Sequence, residues 1–307
     1  MSEDIVLRTD HITKTYGNQK ALSGVSITIK RGEIYGLVGN NGAGKTTFMR
    51  LISSQSLPTE GSLLLFGAEE EKEIRKARRR IGTLIETPGF FSYMSARENL
   101  EYFRRQFGIP GKECIDEVLE EVGLADCGKK RYKNFSLGMK QRLGVALAIM
   151  HSPEFLILDE PINGLDPEGI LEMRTLLQDL NKKKNMTILI SSHILSELSS
   201  VATRYGFLKN GILKEEISAQ ELLRKCSVYL EVKVSDSKKA AALLETRLGI
   251  TEYQVYPDDS LHIFEKMEQT REISRLLVQE GIDLELLVKR TMDLEGYYMN
   301  LMEGQQS

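Results

Sequence analysis

The sequence predicts two domains of different class: an α/β domain built on a mostly parallel sheet, then a smaller α+β domain. Continuous apolar runs of strand length alternate with amphipathic helices over the first ~220 residues. The remainder alternates strand and helix in a different order. The length of 307 residues also fits two domains at roughly 150 residues each.

The elements follow in order. Ile34 to Val38 is an unbroken apolar run that ends in a glycine-rich turn, and Leu63–Phe66, Ile81–Ile85, Phe155–Leu158 and Thr187–Ile190 are runs of the same kind. Strands apolar on both faces belong in a buried, mostly parallel sheet. Ser95-Ala96-Arg97-Glu98 is a capping box ahead of Leu100, Phe103 and Phe107. Ile115, Val118, Leu119 and Val122 form an i, i+3, i+4, i+7 stripe. Asp166 and Pro167 supply an N-cap and a first-turn proline before Met173, Leu176, Leu177 and Leu180. Asn210-Gly211 between apolar pairs predicts a hairpin. The first domain is expected over residues 1–220, with a helical subdomain at about 87–152.

Residues 227–307 are expected as an accessory domain entered through the capping box at Ser218 to Glu221. Leu230, Val232 and Val234 alternate as a half-buried strand; a helix over 237–248 follows, then strands at 252–256 and 260–264 about a Pro257-Asp258-Asp259 turn. A helix over 270–280 and a strand over 283–288 complete the order β-α-β-β-α-β, that of a ferredoxin-like fold. His262 lies in an alternating strand and reads as structural.

Composition narrows the function. Lys plus Arg total 41 against 44 for Asp plus Glu, a net charge of -3, which argues against a dedicated nucleic-acid binder. The charge-dense run Glu69 to Arg80 reads as a solvated helix face. The longest apolar stretch, Leu143 to Met150, is far short of the ~20 residues of a membrane span. An acidic N-terminus without an apolar signal core, and Cys114, Cys127 and Cys226 without metal-ligand spacing, predict a reduced, cytoplasmic protein.

The chemistry begins at Gly39-Asn40-Asn41-Gly42-Ala43-Gly44-Lys45-Thr46, which fits G-x-x-x-x-G-K-[ST] at every fixed position, with Thr47 after it. The loop follows a strand and opens a helix, the context this motif requires. Its glycines let successive N–H groups curl around phosphate oxygens, at a helix N-terminus that favours anions. Lys45 can reach the β- and γ-phosphates, and Thr46 can ligate Mg²⁺. Leu156-Ile157-Leu158-Asp159-Glu160 puts two acids at a strand exit, on the side of a parallel sheet where ligands bind. Asp159 is suited to the Mg²⁺ shell and Glu160 to polarising water.

With these residues the chain resembles the ATP-binding subunit of an ABC transporter over nearly all of residues 5–220. Phe135-Ser136-Leu137-Gly138-Met139-Lys140-Gln141-Arg142 stands where that family has its LSGGQ signature. Asn163-Gly164-Leu165-Asp166-Pro167 resembles its D-loop, His193 its switch histidine, and Tyr16 in Lys14-Thr15-Tyr16-Gly17 its adenine platform. The resemblance implies ATP and Mg²⁺ as cofactors and a head-to-tail homodimer, in which Ser136 and Gly138 meet the γ-phosphate held by a second subunit. It also implies that His193 senses that phosphate and that a separate membrane permease docks near Glu86 to Met94. Membrane attachment would come only through that permease, on the inner face, with no nucleic-acid partner.

Two departures narrow the match. Leu137 and Met139 replace the usual Gly and Gln of the signature. Glu86 stands where the family usually has a glutamine that bridges Mg²⁺ and the membrane-facing surface, so the resemblance implies that it joins Thr46 and Asp159 at the Mg²⁺. Glutamate there, with Gly89 to Asn99 and Phe135 to Gly144, resembles the bacitracin- and lantibiotic-protection branch, which exports or expels peptide antibiotics. A soluble ABC ATPase acting on ribosomes or DNA is the alternative; one phosphate loop, no sustained heptads and an acidic charge weigh against it. A peptide-sensing subunit fits the sequence as well as an exporter does. The loop Phe90 to Met94 reads equally as a partner surface or as a segment folded back on the helices.

Overall fold

The computed structural model describes residues 4–86, 88–226, 228–291 and 294–303. Thr87, in the segment expected to meet a permease, lies outside the described residues, as do Ser227 and residues 304–307 of the expected accessory domain and the first three residues of the acidic N-terminus. The chain divides into two compact units, Met1–Ala219 and Gln220–Ser307.

The first unit holds two sheets. One is antiparallel: β1 (Ile5–Tyr16) pairs with β2 (Gln19–Val25), β3 (Thr28–Lys30) and β5 (Glu60–Leu65). The other runs β10-β9-β4-β8-β7-β6. Its strands are β4 (Ile34–Val38), β6 (Ile81–Leu84), β7 (Phe155–Leu158), β8 (Thr187–Ser192), β9 (Arg204–Lys209) and β10 (Ile212–Ser218). Among its described strands every pairing is parallel except the β9–β10 hairpin. Every residue of β4, β7 and β8 is buried, as their apolar runs require.

Helix α1 (Lys45–Ile52) leaves β4, and its Phe48, Met49, Leu51 and Ile52 join one core cluster with side chains of both sheets. A short α2 (Glu71–Ala77) buries Ile74 and Ala77. Then come α3 (Ala96–Gln106), α4 (Glu113–Glu121) and α5 (Leu137–Ile149), which pack on one another. The capping box at Ser95 is complete: its hydroxyl accepts the Glu98 N–H, and Glu98 accepts the Ser95 N–H. Helix α6 (Pro167–Lys184) starts at Asp166, which accepts the Gly169 N–H at 3.0 Å, and ends on Lys182, Lys183 and Lys184, which face the negative end of its dipole. The four-residue α7 (Leu195–Leu198) follows β8, and α8 (Ala219–Lys225) follows β10.

Two expectations need correction. The run Leu63–Phe66 is not part of the parallel sheet: it ends at Leu65, pairs Leu7↔Leu65 and Thr9↔Leu63 with β1, and exposes Glu60 to Ser62. An apolar run fixes burial but not the sheet it joins. Nor is Glu69 to Arg80 wholly solvated, since Arg78 donates to the Ile52 carbonyl at 3.0 Å and Arg80 grips Glu154 through two bonds.

The second unit contains β11 (Val228–Val234), α9 (Ser237–Leu248), β12 (Tyr253–Val255), β13 (Ser260–Ile263), α10 (Thr270–Gln279), β14 (Leu284–Thr291) and α11 (Leu294–Glu303). The sheet order β12-β13-β11-β14, antiparallel throughout, is the split β-α-β arrangement. Leu230, Val232, Val234, Leu244, Leu261, Ile263, Ile273 and Leu277 form its core. Only α11 has no counterpart in the sequence reading. His262 lies between the rings of Tyr229 and Tyr256, each 4.3 Å away, and burial lowers its pKa, as befits a structural histidine.

Candidate functional site

The glycine-rich loop bridges β4 and α1 at the C-terminal end of the parallel sheet. Gly42 and Gly44 have φ of +80° and +107°, a region that residues with a Cβ rarely enter. A Cβ on Gly44 would lie 2.6 Å from the Ala21 carbonyl, whereas one on Gly42 would meet nothing within 4 Å and would fill the open side of the loop. Gly39 acts differently from expectation: its φ is not in the positive range, and it is needed because a Cβ would overlap the Leu208 carbonyl. The Gly211 N–H donates to the Ala43 carbonyl at 2.9 Å, and the Ser23 N–H to the Gly211 carbonyl at 2.8 Å, so the β9–β10 turn pins the loop to β2. Asn40, Asn41 and Gly42 are exposed, while Thr46 and Thr47 are half-buried at the start of α1.

Lys45 is only 5% exposed. Its ammonium donates to the Gly39 carbonyl at 2.5 Å and lies 3.0 Å from Glu160 Oε1. Thr46 Oγ1 donates to Asp159 Oδ2 at 2.5 Å, and Ser191 Oγ donates to Asp159 Oδ1 at 2.5 Å. The Glu160 N–H donates to Ser191 Oγ at 2.8 Å. Glu160 itself has φ +50°, an uncommon conformation that gathers at functional sites. His193 Nδ1 is within hydrogen-bond distance of Glu160 Oε2, at 2.7 Å. Glu160 Oε1 is buried and has no aligned donor, Lys45 being close but off line. Lys45, Thr46, Asp159, Glu160 and His193, remote in sequence, thus form one connected network.

These features fit a nucleotide and its metal. The open side at Gly42 leaves room for phosphate, and Glu160 Oε1, whose neighbour at 3.0 Å is the Lys45 ammonium, is a carboxylate oxygen able to accept a proton from water. Among the described residues no three His, Cys, Asp or Glu side chains gather to hold a metal by themselves. A carboxylate and a hydroxyl, completed by phosphate oxygens and water, are the oxygen set that Mg²⁺ prefers.

The other expected residues lie outside this network. Tyr16 ends β1 with 48% of its surface exposed, its hydroxyl 3.3 Å from Ser56 and the Lys14 ammonium 4.9 Å from its ring centre. Ser136 is an exposed N-cap of α5, accepting the Met139 N–H at 3.2 Å. Leu137 lies against Gly164, and Gly138 against Leu165, so the start of α5 meets the turn that leads to Asp166. Glu86 is exposed and ion-paired with Arg50 in the last turn of α1. The Phe90–Met94 loop does fold back: Phe90 packs on Phe103 and Tyr132, and the buried Asn99 side chain bonds both N–H and C=O of Phe91. Tyr93, Tyr102 and Phe107 nevertheless stay largely exposed beside it. Sequence reasoning missed Ser191 and Arg50; a serine directly after the apolar run Ile188 to Ile190 was the available signal for the first.

A family model described as ABC transporter matches residues 22–163. The chain is 44% identical to the bacitracin transport ATP-binding protein BcrA of Bacillus licheniformis, covering 97% of this chain and 98% of that protein. It is 41% identical to the lantibiotic transport ATP-binding protein SrtF of Streptococcus pyogenes, covering 71% and 94%. Among solved structures, the dimeric ATP-binding cassette MJ0796 in a post-hydrolysis state with ADP and Pi superposes with a TM-score of 0.62 at 26% identity, covering 69% of this chain and 98% of that one. CbiO1 of Clostridium perfringens, part of the transporter complex cbiONQ, gives 0.66 at 26% identity, covering 80% and 97%.

Proposed function

Because the chain belongs to the ABC transporter family of ATP-binding, ATP-hydrolysing subunits, we propose that it powers removal of a peptide antibiotic of the bacitracin or lantibiotic type through a separate permease. Similarity over almost the full length to a bacitracin transport protein is the observation that carries this reading.

In this reading the loop N–H groups of Gly39 to Thr47 and the Lys45 ammonium hold the phosphates, and Tyr16 stacks on adenine. Thr46 and Asp159 hold Mg²⁺, which when bound neutralises phosphate charge. Glu160 takes the proton of the attacking water at Oε1, while His193 steadies Oε2 and contacts the γ-phosphate. Ser136, Gly138 and Asp166 act toward a nucleotide held by a second copy of the chain. Glu86, held by Arg50, and the aromatic surface near Tyr93 face the permease. No helix among the described residues is long and apolar enough to cross a membrane; in this reading the permease supplies the attachment.

The experiment uses cells lacking the gene, complemented with wild type or Lys45→Ala and challenged with labelled bacitracin and lantibiotics. Wild type restores resistance and lowers cell-associated peptide, and Lys45→Ala does neither. Restored resistance without any change in cell-associated peptide would favour the sensing role; no effect on any peptide would remove the substrate assignment.

A further inference from the structure

We infer that Ser191 is the positioning residue of the hydrolytic centre. It holds the Asp159 carboxylate in the orientation that meets Thr46, and it holds the Glu160 backbone in its left-handed turn. Ser191 is 1% exposed in β8, beside Leu37 of β4. A hydroxyl has one proton to give and lone pairs to receive, and here both are used. The proton goes to Asp159 Oδ1 at 2.5 Å, and the oxygen receives the Glu160 N–H at 2.8 Å. Since Thr46 takes Asp159 Oδ2 at 2.5 Å, that carboxylate is fixed from two directions, by α1 and by β8.

Without the hydroxyl, Asp159 Oδ1 loses this donor and the Glu160 N–H loses this acceptor. The uncommon φ of +50° at Glu160 would then lack the bond that holds it, and Oε2 would drift from His193. The next residue does a different task. Ser192 faces the other way along the strand, donates to Glu197 Oε2 at 2.6 Å and accepts the Ile194 N–H at 2.9 Å. It shapes the turn that carries His193, and its carbonyl accepts the Gly39 N–H at 3.2 Å. Two adjacent serines thus set the acids and the histidine separately.

This inference rests on the reading that Asp159 serves Mg²⁺ and Glu160 activates water. The full-length chain is made as wild type, Ser191→Ala, Ser191→Thr and Glu160→Gln. ATPase kinetics, magnesium titrations, binding of a fluorescent ATP analogue in EDTA, and amide exchange at Glu160 in nucleotide-free protein are measured. Ser191→Ala should lower kcat at least tenfold with KM within about threefold, and raise the magnesium needed for half-maximal rate severalfold. Analogue binding in EDTA, which counts folded sites, should match wild type; the Glu160 amide should exchange faster; Ser191→Thr should restore all three properties. Wild-type kcat and magnesium dependence in Ser191→Ala, unchanged exchange, or equal damage in Ser191→Thr would overturn the inference. If Glu160→Gln hydrolyses at the wild-type rate, the water-activation reading fails first and this inference falls with it.

Discussion

Glu154 stands immediately before β7, and Asp159 and Glu160 immediately after it, so one buried strand carries carboxylates at both ends. At the first end Arg80 donates twice to Glu154, at 2.6 and 2.7 Å, and Arg31 once, at 2.8 Å. The Arg80 bonds, with those of Arg31, hold its carboxyl down at about 2. At the second end Glu160 has one oxygen engaged by His193 and the other, buried, 3.0 Å from the Lys45 ammonium without an aligned hydrogen bond. Three residues in the same role on paper, strand-end acids, therefore divide by how their oxygens are occupied. An acid saturated by arginines clamps the fold; an acid with spare accepting capacity at the C-terminal edge of a parallel sheet is available for chemistry.

This contrast can be broken at either end. The largest effect is expected from Glu160→Gln, which should lower kcat by about 10²–10⁴ while leaving ATP-analogue binding near wild type, measured by phosphate release and fluorescence titration. Glu154→Gln should do the opposite. With the clamp removed, stability in urea should fall by about 1 kcal/mol, a modest figure because the group is partly solvent-exposed, while kcat per folded molecule changes less than about twofold. Acid titration sharpens the same point. A glutamate released by unfolding titrates near 4.5, so the stabilisation from Glu154 is complete above that pH and is lost as pH falls toward about 2. Equilibrium unfolding between pH 5 and pH 2 should therefore be flatter in Glu154→Gln than in wild type. The smallest effect belongs to Arg31→Ala, which removes one of three bonds and should cost about 0.5 kcal/mol. A loss equal to that of Arg80→Ala would show that the two arginines share the clamp evenly.

How much of this was legible beforehand depended on what kind of constraint each residue obeys. The phosphate loop was readable because backbone curvature demands glycine at set spacing, and Gly42 and Gly44 meet that demand through positive φ. Strands β7 and β8 were readable because full burial admits few polar residues. The antiparallel sheet was not, since β1 mixes buried and exposed residues over a twelve-residue strand with register shifts. Ser191 was hidden for a related reason: a serine reveals its partners only once β7 and β8 lie side by side. The pairing of Glu86 with Arg50, thirty-six positions earlier, needed the fold. The C-terminal unit was readable in order from alternation and turns, apart from α11, which no periodic stripe announced.

The turn at Asn210-Gly211 has a practical consequence for anyone engineering this chain. Hairpin tips are ordinarily the places where tags, insertions and new termini are tolerated. This one is stitched on both sides, to Ala43 through its N–H and to Ser23 through its carbonyl, and a Cβ at Gly211 would lie 2.6 Å from the Ala21 carbonyl. An epitope inserted there would unfasten the glycine-rich loop between β4 and α1, so labels and permuted ends belong elsewhere on the molecule.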